Sequence, residues 1–178
     1  FRSVDGSVLW LPRMNQWATE NLRREATALG IDPQRLVVAQ RVEQRADHLA
    51  RHALADVFLD TTPYNAHSTA ADALAAGLPL VTCRGRSFAS RVGASLLVAA
   101  GMPELVADNL EDYEALALKL ATDDAFRQGY RERLDPKRRS WPLFDIDGLC
   151  RNVESAYARM HERRRRGEAP ASFDVAPS

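Results

Sequence analysis

Between Asn65 and Thr69 the sequence reads Asn-Ala-His-Ser-Thr, and Asp72 follows three residues later. These residue types suit one kind of chemistry, the holding of an anion. His67 can offer an imidazole N–H or a positive charge, and Ser68 and Thr69 offer hydroxyl donors. They stand where an Ala-rich helix, Thr69 to Ala76, is expected to begin. The first N–H groups of a helix have no internal partner, and its dipole turns a positive end outward. Such an end is a ready anion site. The dipole contributes about 0.3–1 kcal/mol at an exposed position. Each hydrogen bond to a charged group adds about 1.5–3 kcal/mol. Two or three together would hold a diphosphate. A plainer use of Ser68 and Thr69 stays open: both are good N-caps and could serve only to start the helix.

A second polar group lies upstream, with Arg45, Asp47, His48 and Arg51. His48 and Arg51 are three apart, so they share one helical face. They fit an exposed, salt-bridged helix. They also fit a site for a nucleobase, with an imidazole plane to stack on and an arginine to reach the carbonyl edge.

Other motifs have plainer readings. Asp145-Ile146-Asp147 spells an Asp-x-Asp that could hold a divalent cation. It opens a helix, where N-capping and the dipole account for it. Asp123-Asp124 reads as a cap as well. The run Arg163 to Arg166 sits at a helix C-terminus, where cations are favourable; contact with another domain is its other use. Trp10, Trp17 and Trp141 read as packing residues. Cys83 and Cys150 match neither a disulfide framework nor a zinc pattern. They are expected to be two buried thiols in a reducing compartment.

The elements that must position these residues alternate between short apolar runs and amphipathic segments. Strands are expected at Ser7–Leu11, Leu36–Ala39, Asp56–Asp60, Leu80–Cys83 and Leu105–Ala107. Helices are expected at Gln16–Leu29, Ala46–Ala53, Thr69–Ala76, Phe88–Ala100, Leu110–Ala121 and Asp124–Leu134. A Pro-containing connection, Pro136 to Pro142, precedes a long helix from Asp145 to about Arg166. Continuous apolar strands, each followed by a helix, predict a parallel sheet covered on both faces, a doubly wound α/β fold. In such folds ligands bind beyond the carboxyl ends of the strands, where both polar groups fall.

The 178 residues suit about one domain, with 46% hydrophobic and 27% charged residues. Lys plus Arg and Asp plus Glu are 24 each, so the net charge is zero. That balance gives no case for a nucleic-acid partner. No run reaches the roughly 18 apolar residues of a membrane span, so no membrane partner is expected. No signal peptide is seen, and the expected location is cytoplasmic. The sequence opens Phe1-Arg2-Ser3-Val4 without an initiator Met, and is expected to be a piece of a longer chain.

The stretch Leu54-Ala55-Asp56-Val57-Phe58-Leu59-Asp60-Thr61, through Asn65-Ala66-His67-Ser68-Thr69 and Asp72, resembles the O-linked N-acetylglucosamine transferase family, glycosyltransferase family 41. So do Ala76-Gly77-Leu78-Pro79-Leu80-Val81-Thr82, Gly85 and Ala89-Ser90-Arg91-Val92, with Ser7 to Leu11, Asp112-Tyr113 and Pro142-Leu143-Phe144. The likeness runs from about residue 4 to 168. It implies a Rossmann-like C-terminal lobe of a GT-B glycosyltransferase that binds a UDP-sugar.

The same resemblance implies roles. His67, Ser68 and Thr69 would contact the diphosphate, with Asn65 in the same binding loop. Asp72 would take the ribose hydroxyls. His48 would stack on uracil, and Arg51 would read its edge. Arg45 stands where the family commonly has a lysine near the ribose, and the two are not interchangeable in detail. Ala66 stands where relatives often have Gly, and the loop before His48 is one residue longer.

The implied reaction passes N-acetylglucosamine from UDP-N-acetylglucosamine to Ser or Thr hydroxyls of proteins, with inversion and without a metal or other cofactor. His67 would stabilise the leaving diphosphate. The general base, a phosphate-binding lysine, the N-terminal lobe and tetratricopeptide repeats that bind the protein acceptor are expected outside this sequence, so the fragment alone is expected to be inactive. Two rivals stand beside this reading: a UDP-glucose-dependent protein N-glucosyltransferase, and a UDP-binding scaffold lobe without turnover. The expected organisation is a sugar-nucleotide lobe over 1–144, a helix over 145–167 packing on the catalytic domain, and a loose tail over 168–178.

Overall fold

The computed structural model describes residues 2–135 and 141–176. Most of the expected Pro136–Pro142 connection lies outside them. Among the described residues there are five strands: β1 (Leu9–Leu11), β2 (Leu36–Val38), β3 (Phe58–Leu59), β4 (Leu80–Cys83) and β5 (Val106–Ala107). Seven α-helices are described: α1 (Gln16–Ala28), α2 (Arg45–His52), α3 (Ser68–Ala75), α4 (Val92–Ala99), α5 (Leu110–Thr122), α6 (Asp124–Arg133) and α7 (Ile146–Arg165).

Every ladder is parallel, with helices flanking the strands. β1 pairs with β2, and β3, β4 and β5 pair in that order. The single sheet expected is thus two hydrogen-bonded sheets among the described residues. Strands β1, β2, β3 and β5 are also shorter than their apolar runs. β4 matches its expected span and lies at the centre of the core. Leu80 and Val81 of β4 are fully buried with Leu74 of α3, Leu97 of α4 and Leu120 of α5. Burying a leucine or valine contributes about 1.5–3 kcal/mol. The β3–β4–β5 half therefore carries most of the apolar burial. The β1–β2 half is thin, with Trp10 and Val37 partly exposed.

Side chains begin several helices, and for Asp123 and Asp145 these are the expected caps. Asn15, Asn109, Asp123 and Asp145 each accept a backbone N–H in the first turn of α1, α5, α6 and α7. The helix expected over Phe88–Ala100 is interrupted. Ser87 and Ser90 form a reciprocal capping box around a 3-10 turn at Phe88–Ser90, and α4 starts only after Arg91. Short hydroxyl side chains compete with helical bonding in this way.

Three other expectations change. Trp17 is 76% exposed on α1, so it packs little. Cys150 is exposed on α7 and Cys83 half-buried, so the thiols are free but not both interior. Among the described residues after Gly167, Ala169, Phe173 and Asp174 are tied to α7. Arg159 sits 4.5 Å over the Phe173 ring and donates to the Asp174 carbonyl at 2.9 Å, while Arg163 donates to the Ala169 carbonyl. α7 itself exposes Ile146, Leu149, Tyr157 and Met160.

Candidate functional site

The helix that follows β3 starts without help from a capping side chain. Its N-cap is His67, whose side chain makes no cap hydrogen bond. Ser68 and Thr69 are its first two residues, so neither is the cap that their types suggested. Both are exposed. The N-terminus of α3 therefore presents two hydroxyls and unsatisfied first-turn N–H groups together.

His67 is set between two aromatic rings. Tyr64 stacks on it with centroids 5.1 Å apart and planes at 14°, and Phe88 meets it edge-on at 6.1 Å. Its Nε2 is buried and, among the described residues, has no hydrogen-bond partner. An unpartnered buried polar atom costs about 1–3 kcal/mol. Tyr64 and Phe88 are themselves largely exposed.

The second expected group faces the first across the α2–α3 contact. Arg45 opens α2, with its Nη2 3.4 Å from Asp72 Oδ1. His48 Nε2 lies 3.8 Å from Asp72 Oδ2. Arg51 donates from Nη1 to the Gln40 carbonyl at 2.9 Å, and its Nη2 is 2.8 Å from His48 Nδ1. A guanidinium can only donate, so Nδ1 accepts and the neutral ring carries its proton on Nε2, toward Asp72. Burial lowers the His48 pKa below its ordinary value of 6.5, with Arg51, His52 and Arg45 adding and Asp72 opposing.

Seven of the eight expected binding residues, Arg45, His48, Arg51, His67, Ser68, Thr69 and Asp72, thus fall on the start of α3 and the facing turns of α2. The eighth, Asn65, turns inward. It is 1% exposed, donates from Nδ2 to the Thr61 carbonyl at 2.9 Å, and accepts from the Gly93 N–H at 3.4 Å. It shapes the loop from within.

The family model of glycosyl transferase family 41 matches residues 1–153. The chain belongs to that family. It is 38% identical over 165 residues to a Caenorhabditis elegans UDP-N-acetylglucosamine–peptide N-acetylglucosaminyltransferase, covering 93% of this chain and 14% of that protein. A probable enzyme of the same name from Arabidopsis thaliana, SEC, is 34% identical over 175 residues, covering 98% and 18%. A solved structure of a mutant O-GlcNAc transferase from Thermobaculum terrenum superposes with a TM-score of 0.79 at 34% identity. That match covers 86% of this chain and 30% of the other. The chain therefore spans less than a fifth of the curated relatives just described, and its fold is the Rossmann-like GT-B lobe of family 41.

This family 41 lobe also uses residues that motif reading passed over. The sequence pattern marks Asp60 only as a strand end. It is 6% exposed, and its carboxylate accepts from the Thr61 and Ala66 N–H groups and from the Thr82 hydroxyl. The Tyr113 hydroxyl donates to the Asp60 carbonyl at 2.9 Å, and burial pushes the Tyr113 pKa up to about 12. Thr62–Pro63 is a cis peptide bond within the same loop. The sequence held one hint of Asp60, an acid closing an apolar strand, where burial demands partners.

Asp145, whose motif could have held a cation, caps α7 by accepting the Gly148 N–H at 2.8 Å. No grouping of three or more metal-binding side chains occurs among the described residues, and no described helix is long and apolar enough to cross a membrane.

Proposed function

We propose that this chain is the donor-binding lobe of an inverting glycosyltransferase. The full protein would move N-acetylglucosamine from UDP-N-acetylglucosamine to Ser or Thr hydroxyls of proteins. The observation that carries the reading is His67, an imidazole with an unpartnered Nε2 at the uncapped start of α3. An oxygen ligand seated at that helix end supplies the missing partner and meets the Ser68 and Thr69 donors. The names borne by the Caenorhabditis and Arabidopsis relatives point to the same donor and to a peptide acceptor.

In this reading Asp72 accepts the ribose hydroxyls, His48 offers its ring to uracil, and Arg51 reads the uracil edge. Arg45, 81% exposed at its side chain, lies beside the ribose. Asn65 holds the loop. As the sugar departs, negative charge grows on the UDP diphosphate. Donors fixed beforehand at that point lower the barrier, because they need not reorganise as the charge develops. We propose that protein donors do this without a metal; of the two acids in the Asp145-Ile146-Asp147 run, Asp145 is engaged as a cap. The base that takes the acceptor's proton belongs to other parts of the full protein. Two free thiols suit a reducing compartment, and we place the protein in the cytoplasm.

The test is His67→Ala in the full-length protein. UDP affinity should fall by about tenfold or more, as loss of a charge-assisted hydrogen bond implies. Transfer from UDP-N-acetylglucosamine to a protein acceptor should fall at least as much. Unchanged affinity and rate would remove the assignment. Transfer from UDP-glucose to Asn would replace it with the N-glucosyl reaction, and UDP binding without transfer to any acceptor would leave a scaffold lobe.

A further inference from the structure

Every polar atom of Asp60 is engaged. Its N–H donates to the Val81 carbonyl at 3.1 Å, and its carbonyl accepts from Tyr113. Oδ1 accepts from Thr61 N at 2.8 Å and Ala66 N at 2.6 Å. Oδ2 accepts from Thr82 Oγ1 at 2.6 Å. A buried carboxylate is unfavourable without such compensation.

What the carboxylate grips is specific. Thr61 is the first residue after it, and Ala66 immediately precedes His67. Oδ1 thus pins both ends of the loop that delivers His67 to the start of α3. Asn65 adds a second clasp, donating its backbone N–H to the Ala89 carbonyl at 2.8 Å. From beneath, fully buried Thr82 of β4 fixes the other carboxylate oxygen. Gly93 leaves the space this needs, since a Cβ there would collide with the Asp60 carboxylate and the Thr82 hydroxyl.

We propose that Asp60, held by Thr82, is the positioning residue that presets the diphosphate end of the donor site. This rests on the reading of His67, Ser68 and Thr69 as diphosphate ligands. Asp60 itself touches no ligand. It acts through the Ala66 N–H on the placement of His67 and of the α3 N-terminus. The uracil end is anchored elsewhere, because Arg51 is tied to the Gln40 carbonyl beyond β2. Loss of the Asp60 clamp should therefore weaken phosphate recognition and spare nucleoside recognition.

The experiment compares UDP with uridine on the full-length protein by calorimetric titration and competition. Thr82→Val removes the buried hydroxyl at nearly constant size. Thr82→Ser keeps the hydroxyl and serves as the rescue. Asp60→Asn keeps an acceptor for the two N–H groups but removes the charge. Thr82→Val and Asp60→Asn should weaken UDP by about fivefold or more with uridine within about twofold, and Thr82→Ser should bind both ligands as the parent does. A merely structural role would lower both affinities together, or neither at temperatures well below unfolding. Either result in a cooperatively unfolding Thr82→Val protein overturns the proposal. His67→Ala, run alongside, separates the two claims. If it weakens UDP while Thr82→Val does not, only the positioning role fails. If it leaves UDP unchanged, the diphosphate reading fails and this proposal with it.

Discussion

Asp72 and His48 face each other across two helices, with Oδ2 of the acid 3.8 Å from Nε2 of the imidazole. The pair joins α2, which carries the proposed uracil contacts, to α3, which carries the proposed phosphate contacts. Asp72 also meets Arg45 at 3.4 Å. Its side chain is 23% exposed, which leaves it room to accept from a ligand. With His48 neutral, only the Arg45 contact is an ion pair, and at such distances and exposures neither contact adds much stability of its own. Their use is to orient the carboxylate between the two halves of the site.

Asp72→Ala should therefore act on the ribose and leave the fold standing. UDP and uridine should both weaken by about 10-fold or more, the loss expected for hydrogen bonds to a charged group. Inorganic pyrophosphate, which has no ribose, should compete as well against the variant as against the parent. A parallel loss for pyrophosphate would show that Asp72 serves the phosphate end instead.

A pH dependence follows from His48. Its pKa is lowered from 6.5, first by burial and then by Arg51 and His52. A depressed folded value means the unfolded chain takes up the proton first. The contribution of neutral His48 to stability is then full above pH 6.5 and is lost as pH falls through the lowered value. Protonation also removes the Nδ1 acceptor that Arg51 uses. Uridine affinity should drop in the same window. Unfolding temperatures and uridine titrations from pH 8 to 5 check this, with His48→Gln expected to flatten part of both curves.

Much of this site is legible in the sequence. His67 caps the helix that Ser68 and Thr69 open, Asp72 lies one turn on from them, and His48 and Arg51 share a face of another helix, so sequence spacing groups each set. That the two sets meet is a tertiary fact, set by α2 packing on α3. The inward turn of Asn65 was hidden because an amide serves a ligand and a loop with equal chemistry. Asp60 and Thr82 lie 22 residues apart and meet only through the β3–β4 pairing. In the fold, the strand-helix alternation was plain, while the 3-10 break before α4 depended on two serine hydroxyls bonding to each other.

Arg51→Lys tests the base end. The guanidinium reaches both the Gln40 carbonyl and His48 Nδ1 from separate nitrogens. An ammonium is a single point donor and cannot hold that fork. The substitution keeps the charge, so any loss reports geometry. Uridine affinity should fall about 10-fold, in line with one charge-assisted bond, and pyrophosphate competition should stay at the parent level. Retained uridine affinity would assign Arg51 to helix stability alone.

Gly101→Ala should separate stability from binding. Gly101 follows α4 with φ at +70°, in the left-handed region, and a Cβ there would strike the Trp141 ring. The indole has little freedom to yield, because its Nε1 donates to the Arg133 carbonyl at 3.2 Å and Arg133 in turn donates to the Gly101 carbonyl. Left-handed backbone costs a Cβ-bearing residue roughly 1–2 kcal/mol, and overpacking adds about 1–3 kcal/mol. The unfolding temperature should fall by several degrees. Neither the α2–α3 side chains of the site nor the Asp60 clamp shares an atom with this contact, so UDP affinity well below the transition should stay at the parent value. A fall in affinity there would mean that the α4 C-terminus communicates with the start of α3 through the buried core between Leu97 and Leu74.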